Sequence, residues 1–125
     1  MKKPRLIAIV DDEKAVCRAI SRLVISAGLE AEIFSSAEEF LRSFRERRPD
    51  CLILDIRLPG MSGLELQRCL TATGHVLPII FATAGDEVES RSQALEGGAH
   101  AFFCKPVNDE VLLRAIRSAL QSYDH

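Results

Sequence analysis

An apolar run that ends in an acid and then a turn constrains this chain most. Cys51, Leu52, Ile53 and Leu54 lead directly into Asp55, and Pro59-Gly60 follows after three intervening residues. A short continuous apolar run bounded by turn residues reads as a strand buried on both faces, the kind found in parallel sheets covered by helices. Asp55 then sits where that strand leaves the sheet. Open α/β sheets bind ligands outside the carboxyl ends of their strands. Asp55 is therefore a carboxylate at a ligand-binding edge.

The pattern recurs along the chain. Leu6–Val10 is a second apolar run, and it ends in Asp11-Asp12-Glu13. From Lys14 the period becomes helical, with Val16, Ile20, Leu23 and Ala27 on one stripe and Gly28 as the stop. Glu30–Phe34 is a weaker strand. Ser36-Ala37-Glu38-Glu39 fits a capping box before a helix faced by Phe40, Leu41 and Phe44, with Arg45, Arg47 and Arg48 crowding its dipole-negative end before Pro49-Asp50 stops it. After Asp55, Ser62-Gly63-Leu64-Glu65 is a second capping box, opening a helix buried through Leu66, Cys69 and Leu70 and ended by Gly74. Residues 78–83 form a fourth strand. Asp86 caps a helix through Leu95 that stops at Gly97-Gly98. Residues 100–104 form a fifth strand. Asn108 caps the last helix, which buries Leu112, Leu113, Ile116, Ala119 and Leu120.

Five β-α repeats imply a parallel sheet with helices on both faces: a flavodoxin-like (βα)5 doubly wound fold, five strands in the order 2-1-3-4-5. Its switch point lies between strands one and three. Those are the strands that end in Asp11-Asp12 and Asp55.

Composition narrows the field. The 125 residues make one domain, 1–125, with 47% hydrophobic and 27% charged residues. A net charge of -2 argues against direct nucleic-acid contact. No apolar run approaches the roughly 20 residues of a membrane helix, and no leader is legible, so the expected location is the cytoplasm. Cys17, Cys51, Cys69 and Cys104 have no metal-ligand spacing and read as buried reduced thiols, with Cys104 singled out because it adjoins Lys105.

The carboxyl edge carries the chemistry. Three carboxylates in one crevice repel each other. Mg²⁺, a hard cation that binds through one or two carboxylates plus phosphate oxygens, would offset that repulsion and draw in a phosphoryl group. An aspartate can act as nucleophile and form an aspartyl phosphate. Strand four brings the Thr83 hydroxyl to this edge and strand five brings Lys105, a donor and a cation for phosphoryl oxygens. Singly, Asp11 or Asp12 could cap a helix, Asp55 could serve a turn, Thr83 could bond backbone and Lys105 could be solvated. Their joint arrival at four strand ends has no such bland account.

Four blocks then carry a resemblance across essentially the whole chain: Val10-Asp11-Asp12-Glu13, the run from Leu54-Asp55 through Arg57, Pro59, Met61 and Ser62-Gly63, Ala82-Thr83-Ala84, and Gly98-Ala99 through Phe102 to Lys105-Pro106. Together they resemble the receiver (CheY-like) domain of two-component response regulators, closest in flavour to nitrogen-fixation and nitrate-type transcriptional regulators. The resemblance implies that Asp55 is the phosphoacceptor, fed by a sensor histidine kinase. It implies that Asp11, Asp12, Asp55 and the Arg57 backbone carbonyl hold Mg²⁺, and that Thr83 and Lys105 hold the phosphoryl oxygens. Thr83 and Phe102 become switch residues, Phe102 turning inward, and the Lys105-Pro106 bond is expected to be cis. The switch would remodel a face of the fourth helix, fifth strand and fifth helix, with Val88, Arg91, Leu95 and Phe103 on it. That face would control homodimerisation or a transcriptional output. The domain would support only its own phosphorylation and dephosphorylation, without being an enzyme on other substrates.

Other readings are a stand-alone relay protein and a flavodoxin-like electron carrier, whose phosphate loop Asp11-Asp12-Glu13 would repel. An aspartyl phosphatase of the haloacid-dehalogenase type is opposed by Arg57, which stands where that motif needs a second aspartate.

Overall fold

A computed structural model describes residues 3–85 and 88–123. The elements alternate without exception: β1 (Leu6–Val10), α1 (Lys14–Ser26), β2 (Glu30–Phe34), α2 (Ala37–Phe44), β3 (Cys51–Leu54), α3 (Gly63–Ala72), β4 (Ile79–Thr83), α4 (Val88–Glu96), β5 (Ala101–Cys104) and α5 (Asp109–Ser122). The strands pair in parallel in the order β2-β1-β3-β4-β5. The expected doubly wound fold is thus the one observed. The proposed α4 cap, Asp86, lies outside the described residues.

Side chains alternate across each strand, so each strand feeds two cores. Ala8, Val10, Leu52, Leu54 and Phe81 face one layer, where they meet Phe40, Leu66 and Ala94 of α2, α3 and α4. Ile7, Ile9, Ile53 and Ile80 face the other, against Cys17, Ile20 and Val24 of α1 and Leu112, Ile116 and Ala119 of α5. Covering both faces explains why β1, β3 and β4 are apolar throughout rather than alternating.

Several local expectations shift. The α1 stripe runs through Cys17, Ile20 and Val24, with Val16 and Leu23 only half-buried; a second apolar row beside the first one hid the true seam. The Ser62 capping box is complete. The Ser36 box is half of one: Ser36 accepts the Glu39 N–H, but the Glu39 carboxylate accepts from the Ser35 hydroxyl at 2.8 Å. Helix α2 ends at Phe44, ahead of the arginines. Arg45 is the C-cap residue at the helix end, whereas Arg47 pairs with Glu30 and the Arg48 guanidinium lies 5.4 Å from the Phe44 ring centroid, so these two have partners besides the helix dipole. In α3, Gln67 is buried and Cys69 only partly so, and in α5 Leu113 and Leu120 are half-buried. Cys17 and Cys51 are buried thiols, pushed up by that burial to about 11 and about 12. Cys104 is exposed, contrary to expectation: it is the last residue of β5, where the strand has left the cover of the helices.

The candidate phosphoacceptor site

Register sets the site. Val10 pairs with Leu54 across the β1–β3 ladder, and the next residue on each strand is an acid, Asp11 and Asp55. The Asp55 N–H donates to the Val10 carbonyl at 3.0 Å, which continues the ladder one step into the site. Across β4 and β5, Thr83 pairs with Cys104, and the Lys105 N–H donates to the Thr83 carbonyl at 2.8 Å. Every site residue is therefore the last residue of a strand or lies just past its end. Backbone hydrogen bonds fix the starting points of the side chains.

Carboxylate oxygens of Asp11, Asp12 and Asp55 lie within 4.8 Å of one another. Asp11 and Asp55 are buried and Asp12 is exposed. Lys105 answers the buried pair: its Nζ lies 2.8 Å from Asp11 Oδ2 and 3.0 Å from Asp55 Oδ2, and 2.9 Å from Glu13 Oε1. Burial pushes the Asp11 carboxyl above its ordinary value, and the hydrogen bond from Lys105 only partly reverses this. Burial alone would lower the lysine, but its hydrogen bonds to Asp11, Glu13 and Asp55 outweigh it and hold the ammonium above the ordinary lysine range. The site is thus a negative pocket clamped by Lys105, which carries its charge at neutral pH. Its donors are all hard oxygens, the set that suits Mg²⁺.

Asp55, Asp11, Asp12 and Lys105 come together as the sequence predicts. Thr83, buried, reaches the same sheet edge through the β4–β5 register. The Arg57 N–H donates to Asp55 Oδ1 at 3.3 Å, which places that backbone beside the carboxylate. The Lys105-Pro106 bond is cis, as expected. Phe102 is already buried, its ring 6.0 Å from that of Phe81 and under the Arg91 guanidinium at 5.6 Å. An outward-to-inward turn of Phe102 is therefore not available from this conformation.

Sequence reasoning missed three participants. Glu13 is the third partner of Lys105; its place in the acid run was the only signal. The Cys17 thiol donates to the Asp11 carbonyl at 3.2 Å from one turn into α1. Gly63 admits the Asp55 carbonyl so closely that a Cβ there would lie 2.2 Å from its oxygen.

A doubly wound (βα)5 domain with an acid trio and a lysine at its switch point is a CheY-like domain. More narrowly, the chain belongs to the response regulator receiver family, whose domain profile matches residues 7–117. It is 47% identical over 116 residues to the response regulator protein TodT of Pseudomonas putida, covering 93% of this chain and 51% of TodT. It is 38% identical over 112 residues to the transcriptional regulatory protein TdiR of Thauera aromatica, covering 90% of this chain and 49% of TdiR. The crystal structure of a receiver domain protein (CheY-like) from Methanospirillum hungatei JF-1 superposes with a TM-score of 0.90 at 30% identity, covering 96% of each chain. The chain thus spans about half the length of TodT and TdiR. These relatives do not single out the nitrogen-fixation and nitrate-type regulators. The chain is a receiver domain of the two-component class, and the electron-carrier alternative shares its topology but not its family. No helix among the described residues is long and apolar enough to cross a membrane.

Proposed function

We propose that this receiver accepts a phosphoryl group on Asp55 from the phosphohistidine of a sensor kinase and passes the event to a transcriptional output. The clustering of Asp11, Asp12 and Asp55, with Lys105 bridging Asp11 and Asp55, is the observation that carries the reading. An Asp55 oxygen forms the new bond to phosphorus as the P–N bond to the donor imidazole breaks, and the imidazole nitrogen keeps the electron pair and takes up a proton. Asp11, Asp12, Asp55 and the Arg57 carbonyl are the groups that would hold Mg²⁺, which supplies positive charge to the transferring oxygens. Lys105 and the Thr83 hydroxyl would hold those oxygens from the β4–β5 side. Lys105 is already beside Asp55, so the cation needs little rearrangement.

The donor histidine arrives on a protein. A groove of about 410 Å³ between α1 and α5, lined by Val16, Ile20, Leu23, Val107 and Leu112, runs up to Lys105 and offers that protein an apolar footing beside the site. The output face is α4-β5-α5. Val88 is 75% exposed and Leu95 46% exposed, and Arg91 lies over the buried Phe102 ring. Helix α4 itself buries only Ala94, so it is loosely held and suited to move. Phosphorylation would shift its population and favour a homodimer through this face. The domain acts on no substrate but itself, works in the cytoplasm and makes no nucleic-acid contact of its own. A stand-alone relay differs only in lacking an output.

Beryllofluoride with Mg²⁺, a mimic of the bound phosphoryl group, tests this reading. At a hundredfold excess over its dissociation constant, a ligand confined to the native state adds about 2.7 kcal/mol. Thermal unfolding should therefore shift upward by several degrees, and light scattering should show dimers. An unchanged melting curve with both components present contradicts the reading.

A further inference from the structure

The loop from Asp55 to Ser62 joins β3 to α3, and within it the Arg57 N–H donates to Asp55 Oδ1 at 3.3 Å. Its far end is well fixed: the Gly63 N–H donates to the Ile56 carbonyl at 2.9 Å, and Ser62 and Glu65 form the capping box. Its outer turn, Pro59-Gly60-Met61, is held from a different element. Glu38, in the first turn of α2, accepts the Met61 N–H on Oε2 at 2.8 Å, across 23 residues of sequence.

The contact is shaped as well as bonded. Gly60 has φ +75°, and a Cβ there would lie 2.5 Å from Glu38 Oε2. The carboxylate thus fills the space that a side chain at position 60 would need. The Met61 N–H also holds the Glu38 carboxyl below the ordinary carboxylate range. Charged acceptors make the stronger hydrogen bonds. The receiver chemistry assigns Glu38 no task, and it touches none of the acid trio.

We propose that Glu38 is a positioning residue: by clamping the Pro59-Gly60-Met61 turn onto α2, it sets the loop that presents the Arg57 carbonyl to Mg²⁺. This rests on the reading of the acid site as a Mg²⁺ site. It extends that site's support to a helix on the outer flank of the sheet, beyond β1 and β3.

The test compares wild type, Glu38→Ala and Glu38→Gln, because a glutamine can still accept the Met61 N–H. Hydrogen exchange at the Met61 amide is read in metal-free buffer, and Mg²⁺ affinity is read by calorimetric titration. In Glu38→Ala, Met61 should exchange faster and Mg²⁺ affinity should fall roughly tenfold, the low end of what losing an outer partner of a ligand costs. Glu38→Gln should restore both to within about threefold of wild type, since neutral acceptors bind somewhat more weakly. Faster exchange with unchanged Mg²⁺ affinity would overturn the proposal and leave the receiver reading intact. Equal loss in both variants would also overturn it, since the hydrogen bond would not be the cause. Absence of Mg²⁺ binding in wild type would instead overturn the reading of the acid site, and this proposal with it.

Discussion

Replacing Lys105 with methionine should destabilise the metal-free protein by about 2 kcal/mol, and Mg²⁺ should restore most of the loss. Methionine keeps the apolar stem and removes only the ammonium. Asp11 and Asp55 then face each other with no cation, both buried at the end of adjacent strands. Removing one partner of a fully buried pair costs about 3–5 kcal/mol. The Lys105 side chain keeps 12% of its exposure and Asp12 is open to water, so solvent screens part of that cost. Mg²⁺ would bring positive charge to the same carboxylates without competing with an ammonium, so it should also bind the variant several-fold more tightly than wild type. Chemical denaturation in EDTA and in Mg²⁺ reads both effects.

The pH dependence has a definite sign. The folded ammonium titrates above the ordinary lysine range. Its contribution is whole below the unfolded lysine value and is lost only as pH rises through the folded one, so wild type and variant converge in strong alkali. Asp11, held above its ordinary value by burial, favours the fold most in acid and loses that contribution as pH rises through its folded value. Protonating it should narrow the gap between the two proteins from the other side. A variant as stable as wild type in EDTA at neutral pH would contradict this account of the site's electrostatics.

Gly63→Ala should cost about 2–3 kcal/mol, at the upper end of the range for forcing extra atoms into a packed site. On helix propensity alone, alanine would be favoured by up to about 1 kcal/mol. Sterics decide otherwise. The new Cβ would sit 2.2 Å from the Asp55 carbonyl oxygen, 2.9 Å from the Ile56 Cα and 3.0 Å from the Asp55 carbonyl carbon. All three are backbone atoms, so no flexible side chain can swing aside. The strain falls on the peptide of the phosphoacceptor itself. Denaturant midpoint and Mg²⁺ affinity should fall together. A gain in stability would show that α3 can slide away from β3.

Much of this was legible because short apolar runs that end in acids encode both strand and site. The runs at 6–10 and 51–54 gave the two central strands, and the doubly wound order put their carboxyl ends together without any measured contact. Helix caps at Ser62 and Asn108 were legible from their local side-chain pattern. What the sequence hid depends on tertiary geometry. Two apolar rows lie side by side on α1, and only the sheet's position decides that Cys17 and Val24 are buried. Arg47, past the end of α2, finds Glu30, 17 residues away in sequence and a neighbour only in the folded chain. Cys104 looks like its three counterparts in sequence but emerges from the sheet edge. Gly63 reads as an ordinary first residue of a helix until the Asp55 carbonyl is seen against it. Glu38 reads as a spacer between Ser36 and Glu39 in a capping pattern, yet its carboxylate turns to Met61.

Intact-mass spectrometry after incubation with acetyl phosphate tests the central claim most directly, run with Mg²⁺, with EDTA, and on Asp55→Asn. The account predicts one added phosphoryl group on the wild type in Mg²⁺, and none in EDTA or on Asp55→Asn, which keeps the shape of the side chain but lacks the carboxylate nucleophile. An adduct that persists on Asp55→Asn, or a wild type that never gains one, would contradict it.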